Sequence, residues 1–372
     1  MRRSLAAALL LLASAEAFSA PGRGAHVLDY SAEGRPFPAG GKLVVRCANG
    51  SVRVVGDPES ERIRLRAIEE VFGTSGSEAR AILEATTIDW REEGDSLIRV
   101  EVSAPEALVE RVRPRLLDLF RPRGRPEVAV TLAIALPERS DVEIRAAGAD
   151  VGVSGIDGRV EVATAGGSVR LDEIAGEVRV STEGGAIAAE DIRGTIEIRS
   201  MRGEIEVRRM NGPARIDGAG SEIYLAGSTG PAAVHSISGN VLVSRGSGSL
   251  TVTTSSGAVE LGRRKGEVSV RTRSGCVTVR DEPGGISRCA IRTESGPIRV
   301  FPEGEWSARV EARAGSKRVE CSYPVVLQWV TDSGFLGIAG TGAAEFLVES
   351  ERGAVRIASP RSSAETHPGE MP

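Results

Sequence analysis

Glycine returns every eighteen residues at Gly158, Gly176, Gly194, Gly212, Gly230, Gly248, Gly266 and Gly284 without a slip, and that register leaves few folds open. Four residues after each glycine from Gly158 to Gly266 stands a β-branched residue: Val162, Val180, Ile198, Ile216, Val234, Val252 and Val270. Eleven residues after the same glycines stand Val169, Ile187, Ile205, Ile223, Val241, Val259 and Val277. Apolar companions such as Val160, Val178, Leu171, Val207, Leu225, Val243 and Val279 lie two positions away, so each repeat reads as two short strands with period-two alternation. Gly/Ser-rich corners such as Gly166-Gly167, Gly184-Gly185 and Ser256-Gly257 join them. So short a period has no room for a crossover helix, and one unit cannot bury its own face, so the units must stack.

The expected fold class is all-β: a parallel β-solenoid (β-helix) of roughly 18-residue coils, with equal offsets forming ladders up the inside. Corner glycines supply backbone angles that other residues avoid. Ile174, Ile192 and Met210 mark a third short side, and the apolar offsets do not fall six apart as left-handed hexapeptide β-helices require. After Gly275 the Thr-x-Ser-Gly motif returns as Thr293-Glu294-Ser295-Gly296, three residues late. The reading is a bulge at 281–286 that turns Cys289 inward while Cys276 faces out.

Composition fits thin aliphatic layers: hydrophobic content is 41%, aromatics are 3%, and there are 45 glycines. The net charge of −4 comes from 47 basic and 51 acidic side chains with interspersed signs, which gives no nucleic-acid footprint. Residues 1–20 read as a secretory signal peptide, with Arg2 and Arg3 before an apolar run from Leu5 to Ala13 and small residues up to Ala20. No later run reaches the roughly 20 apolar residues of a spanning helix. The expected location is extracytoplasmic, periplasmic or secreted; the competing reading takes Ala17-Phe18-Ser19-Ala20-Pro21 as the start of a plastid transit segment in an alga. Cys47, Cys276, Cys289 and Cys321 allow two disulfides, one or none, with the connectivity open.

Residues 21–137 read as a β-rich N-terminal region, 138–301 as the regular coils, 302–358 as irregular C-terminal coils and 359–372 as a disordered tail. Within the first region, 77–87 change to a helical period, with Ser77 as N-cap and Ala81, Ile82 and Ala85 on the dry side. A basic insertion, 104–126, carries six arginines among leucines. It reads either as an amphipathic element for anionic lipid or as a broken hairpin with snorkelling arginines, and Pro114, Pro122 and Pro126 favour the second.

With the Gly-x-Val-x-Val-x-Thr-x-x-Gly-x-Val coils in view, the chain resembles the "putative adhesin" family of exported β-strand-repeat proteins of unknown function, found mainly in bacteria. The matching features are the coils from Val151 to Val300, the turn Phe301-Pro302-Glu303-Gly304, and the closing Gly337 to Gly342 with Glu351 to Ile357. The resemblance spans most of 40–358. It implies an adhesin-like architecture and carries over no catalytic residues.

A search for chemistry is mostly negative. Glu161, Arg179, Glu197 and Arg215 share one offset and read as a ladder of opposite charges rather than a carboxylate pair. His235 is the one histidine in the repeats and reads as a lone outward imidazole. No motif calls for a metal or cofactor: Cys-x-x-Cys pairs are absent, and the Gly246–Gly248 run lacks a strand-to-helix context. One interval stands out. From Gly227 to Ala258 the only charged side chain is Arg245, although 26% of the chain is charged. Its outward offsets hold Ala233, His235, Thr251 and Thr253 on one side and Asn240 and Leu242 on the other, with Tyr224 just below. Flat hydroxyl arrays of this kind dock glycans or partner strands, and the competing reading is an inert, solvated stretch or one covered by the N-terminal region. The expected function is non-enzymatic, adhesin-like binding of a surface glycan or envelope protein. The alternatives are a polysaccharide lyase or hydrolase and a self-associating envelope scaffold.

Overall fold

The computed structural model describes residues 26–72, 76–94, 96–103, 127–315 and 317–359. The readings for the signal peptide 1–20, the basic insertion 104–126 and the tail from residue 360 lie outside these. The protein is all-β, with a single helix, Gly76–Ala85, among the described residues. Two compact units divide it, Met1–Thr195 and Ile196–Pro372.

In the first unit, Val160–Thr164 lies parallel between Ser140–Ala146 and Ala175–Thr182, and every paired residue stands eighteen from its partner (Val142↔Val160↔Val178). Val169–Asp172 lies likewise between Asp150–Ser154 and Ile187–Glu190. The β-branched offsets fill the interior: Val142, Val160, Val162, Val169, Val178 and Ile187 are buried, as are Ile156, Ile174 and Ile192 on the short third side. Each such side chain contributes about 1.5–3 kcal/mol over remaining exposed.

The periodic glycines are required chiefly by close stacking. A Cβ on Gly158 would strike the carbonyl oxygen of Ser140, one on Gly176 that of Gly158, and one on Gly194 that of Gly176. Gly158 needs no left-handed backbone angle, so turn geometry alone does not explain the register.

Chain order does not follow stacking order at the start of this unit. Gly41–Cys47 and Gly50–Asp57 lie parallel against Ser140–Ala146 and Asp150–Ser154. On their other side lie Leu97–Ser103 and Glu127–Pro137, also parallel. Antiparallel strands then follow: Arg62–Phe72 on Glu127–Pro137, His26–Pro36 on Arg62–Phe72, and Thr87–Glu92 on Leu97–Ser103. The helix starts at Gly76 and buries Ala79 and Ile82, whereas Ala81, expected on the dry side, is exposed. Positions 79 and 82 are three apart and share a face, which leaves 81 about 160° away on the wet side.

The second unit repeats the pattern. Ile216, Val234, Val252 and Val270 form one parallel ladder at eighteen-residue steps, and Ile223, Val241, Val259 and Val277 form another. The insertion read at 281–286 appears where the register passes from Gly266↔Ile286 to Val268↔Cys289. Asp281 pins it: the carboxylate accepts the Ile286 N–H at 2.9 Å and Trp306 Nε1–H at 2.8 Å. Cys289 is buried and Cys276 half-buried. All four cysteines are free thiols, and burial pushes Cys47 up to about 11.

Beyond Pro302 the order is again transposed. Ala344–Ser350 and Val355–Ile357 lie parallel on Ile286–Thr293 and Ile298–Pro302. Ala308–Ala314 and Val319–Cys321, earlier in sequence, lie on the far side of them. Gly334–Ala339 pairs antiparallel with Ala308–Ala314, and Val326–Thr331 with Gly334–Ala339. The region read as irregular coils, 302–358, thus holds regular strands, plus a plug in which Trp306 meets Phe346 edge-on at 4.8 Å and Tyr323 at 5.6 Å.

The charge ladder is in register: Glu161 stands opposite Arg179, and Glu197 opposite Arg215. Beside it run pairs along single strands, Arg179 with Glu177, Arg199 with Glu197 at 2.6 Å, and Arg215 with Asp217 at 2.9 Å. Outward side chains two apart on one strand share a face, and a long arginine reaches either neighbour. These exposed pairs are screened by solvent and contribute little to stability.

Candidate functional site

The low-charge interval lies on the outer surface of the second unit. On one side the ladder Arg215↔Ala233↔Thr251↔Ser269 runs beside Asp217↔His235↔Thr253↔Arg271. Ala233, His235 and Thr251 are exposed and Thr253 is half-buried. The uncharged window here is two strands wide, about 14 Å between charged borders. On the other side Glu206↔Tyr224↔Leu242↔Glu260 borders a second window, with Tyr224 exposed and Leu242 half-buried.

Two of the residues singled out, His235 and Asn240, have neighbours that strand alternation does not reveal. His235 is not alone: Asp217 stands directly opposite it, although that carboxylate already accepts Arg215 Nε–H at 2.9 Å. Asn240 uses its Oδ1 to accept the Ala258 N–H one repeat on, at 3.0 Å. Asp141 and Asp150 do the same for Arg159 and Ser168, so the Asn240 oxygen is stacking machinery. The buried corner hydroxyls of Ser236 and Thr254 are similarly occupied by the carbonyls of Ser238 and Ser256, at 2.9 and 2.7 Å. Exposed Thr251 is therefore the better candidate donor.

Two apolar side chains extend the surface. Ile237 is 55% exposed, two residues past His235, and Met201 is 58% exposed at the equivalent corner two repeats earlier, with Ala219 between. Their signal in the sequence is an apolar residue seven after the register glycine, where other repeats carry Glu183, Ser255 or Arg273.

Beneath this surface the interior turns polar. The third-side column passes from Met210 to Ser228, Gly246 and Arg264. Arg264 is 1% exposed, and its guanidinium fills the space that the small residues leave: Nη1 donates to Ser228 Oγ at 3.1 Å and Nη2 to the Gly248 carbonyl at 3.4 Å. Nε has no partner, and burial lowers the guanidinium pKa. Removing an uncompensated buried charge is favourable when an apolar chain of similar length replaces it. Arg264→Met should raise unfolding stability by about 1–2 kcal/mol, read from urea titrations. A loss instead would mean that the two hydrogen bonds outweigh the desolvation.

Among the described residues no group of three or more His, Cys, Asp or Glu converges as a metal site requires. A groove of about 210 Å³ elsewhere in this unit is lined by Arg288, Arg309, Glu311, Glu345 and Leu347. Its Arg288–Glu345 pair is 3.8 Å apart. No described helix is long and apolar enough to cross a membrane.

No family model and no curated protein matches the chain. Among solved structures it is similar to a "putative cell adhesion protein" from Clostridium sporogenes ATCC 15579, at 12% identity over 90% of this chain and 100% of that one, with a TM-score of 0.20. It is also similar to a "putative adhesin" from Bacteroides fragilis NCTC 9343, at 10% identity over 91% and 99% of the two chains, with a TM-score of 0.28. At these identities and TM-scores neither neighbour fixes a fold, a site or a ligand for this chain.

Proposed function

We propose that this chain is an exported, non-enzymatic β-solenoid whose outer faces bind a surface glycan or an envelope protein, adhesin-like in form. The solenoid reading rests on the parallel ladders at eighteen-residue steps in each unit. Export rests on the Arg2-Arg3 start and the apolar run after it. The binding reading is carried by one observation: charge is withdrawn from Gly227 to Ala258, and the outward Ala233, His235, Asn240 and Thr251 there are exposed while Leu242 and Thr253 are half-buried. The face of Ala233, His235, Thr251 and Thr253, with Ile237 at its margin, carries no formal charge, and its two hydroxyls lie two residues apart on one strand.

Thr251→Lys and Leu242→Lys each place a charge in one of the two windows. Both are expected to fold as the parent does and to lose roughly tenfold in retention, about 1.4 kcal/mol, on a native envelope fraction or on the glycan that a panel identifies. Unchanged retention by both variants would remove this surface from consideration. Release of hydrolysis or β-elimination products from the same panel would favour a polysaccharide-active enzyme instead.

A further inference from the structure

The strand Val326–Thr331 is exposed along its whole length. It pairs antiparallel with Gly334–Ala339, placing Leu327 opposite Gly337 and Val330 opposite Phe335. Across the next pairing, Gly337 lies opposite Val310 and Phe335 opposite Ala312. Directly opposed residues share a face, so Leu327 and Val330 stand on the face of Val310, Ala312 and Phe335, all of them buried. Even so, Leu327 is 53% and Val330 67% exposed, while on the other face Val326 is 74% and Trp329 36% exposed. The apolar layer of the core runs one strand beyond the point where the chain covers it.

The outer edge of this strand pairs with no other strand among the described residues. From Cys321 to Thr331 the sequence contains no charge. Soluble proteins guard such edges with charges, proline or bulges; here Pro324 and a bulge between Leu327 and Trp329 are the guards. The edges of the first unit are defended otherwise. His26–Pro36 carries Asp29, paired with Arg66 at 2.8 Å, and Arg35, paired with Glu92 at 2.6 Å, and it ends on proline. Thr87–Glu92 carries Asp89, Arg91 and Glu92.

We propose that two copies of the chain pair edge to edge through Val326–Thr331, antiparallel about a two-fold axis. The occupant must bring an uncharged edge and an apolar row at matching depth, and the same strand of a second copy brings both. The guarded edges of the first unit do not, so the contact is isologous and closes at two. The exposed apolar side chains on the two faces amount to on the order of 400 Å² per copy, at the low end of interface size, so the pair is a weak, exchanging dimer.

Sedimentation velocity on the full chain, from sub-micromolar to about 100 µM, is the test. The wild type should pass from monomer to dimer across that range and go no further. Leu327→Lys/Val330→Lys should stay monomeric, as should Val326→Lys, whose side chain is the most exposed of the set and whose folding is not at risk. Ser31→Lys, on the guarded edge of the first unit, should dimerise like the wild type. A wild type that stays monomeric at the highest concentration would overturn the proposal, and would mean that another segment or a foreign strand covers the edge. Open-ended oligomers, or a dimer that survives in the lysine variants, would overturn it as well.

Discussion

Gly257→Val is expected to abolish cooperative folding of the unit Ile196–Pro372. A second glycine column runs through this unit: a Cβ on Gly257 would meet the Gly239 carbonyl oxygen far inside contact distance, and the same holds for Gly275 on Gly257, Gly296 on Gly275 and Gly353 on Gly296. Backbone packs on backbone here, so no side chain can swing aside to admit the methyl groups. Gly257 also has a φ of +108°, which a β-branched residue resists. Strain and overpacking together should exceed about 4 kcal/mol, the range reserved for severe lesions. Gly262→Ala is the control, since nothing lies within 4 Å of its added Cβ. It should shift stability by less than about 1 kcal/mol. Circular dichroism melts of the two variants separate the cases, and a cooperative, near-native melt for Gly257→Val would contradict the stacking explanation.

Trp306→Ala should cost about 3–5 kcal/mol, the usual range for truncating a buried tryptophan. Trp306 is 4% exposed and packs edge-on against Phe346 and Tyr323, so its loss empties the plug between the last parallel strands. It also donates Nε1–H to buried Asp281, whose pKa is raised first of all by burial, with the Ile286 and Trp306 hydrogen bonds opposing the rise. Trp306→Phe keeps most of the ring and removes the donor. Asp281 is protonated in both folded and unfolded states at pH values below the ordinary carboxylate range, so the deficit of Trp306→Phe should be smallest there. It should grow as pH rises through the elevated folded pKa, where an under-hydrogen-bonded carboxylate must ionise in the interior. Urea unfolding at acidic and neutral pH measures both effects. A pH-independent deficit would mean that the indole N–H does not support the carboxylate.

The eighteen-residue pairing, the inward set and the bulge before Cys289 were all legible in the chain, because each depends on residues one repeat apart. What periodicity cannot reveal is which distant segment completes a ladder. Phe346 pairs with Cys289 and Val310 pairs with Phe346, so the later segment slips between two earlier ones, and no offset in the sequence encodes that order. The same holds for Gly41–Asp57, which meets Ser140–Ser154 across a long insertion. At the candidate surface, exposure of Thr251 and Tyr224 followed from strand alternation. The Asn240–Ala258 hydrogen bond, the Asp217–His235 juxtaposition and the buried Arg264 did not, since each depends on side-chain reach between stacked strands. Met201 and Ile237 were visible as apolar residues at a polar corner offset, but a search keyed to charge passes over them.

Cross-strand nuclear Overhauser contacts in the isotope-labelled protein test the central claim most directly. Amide-to-α contacts of a parallel ladder should link the neighbourhood of Val234 to that of Val252, and Val252 to Val270, at eighteen-residue separation. Antiparallel contact patterns, or contacts joining these strands at any other separation, would contradict it.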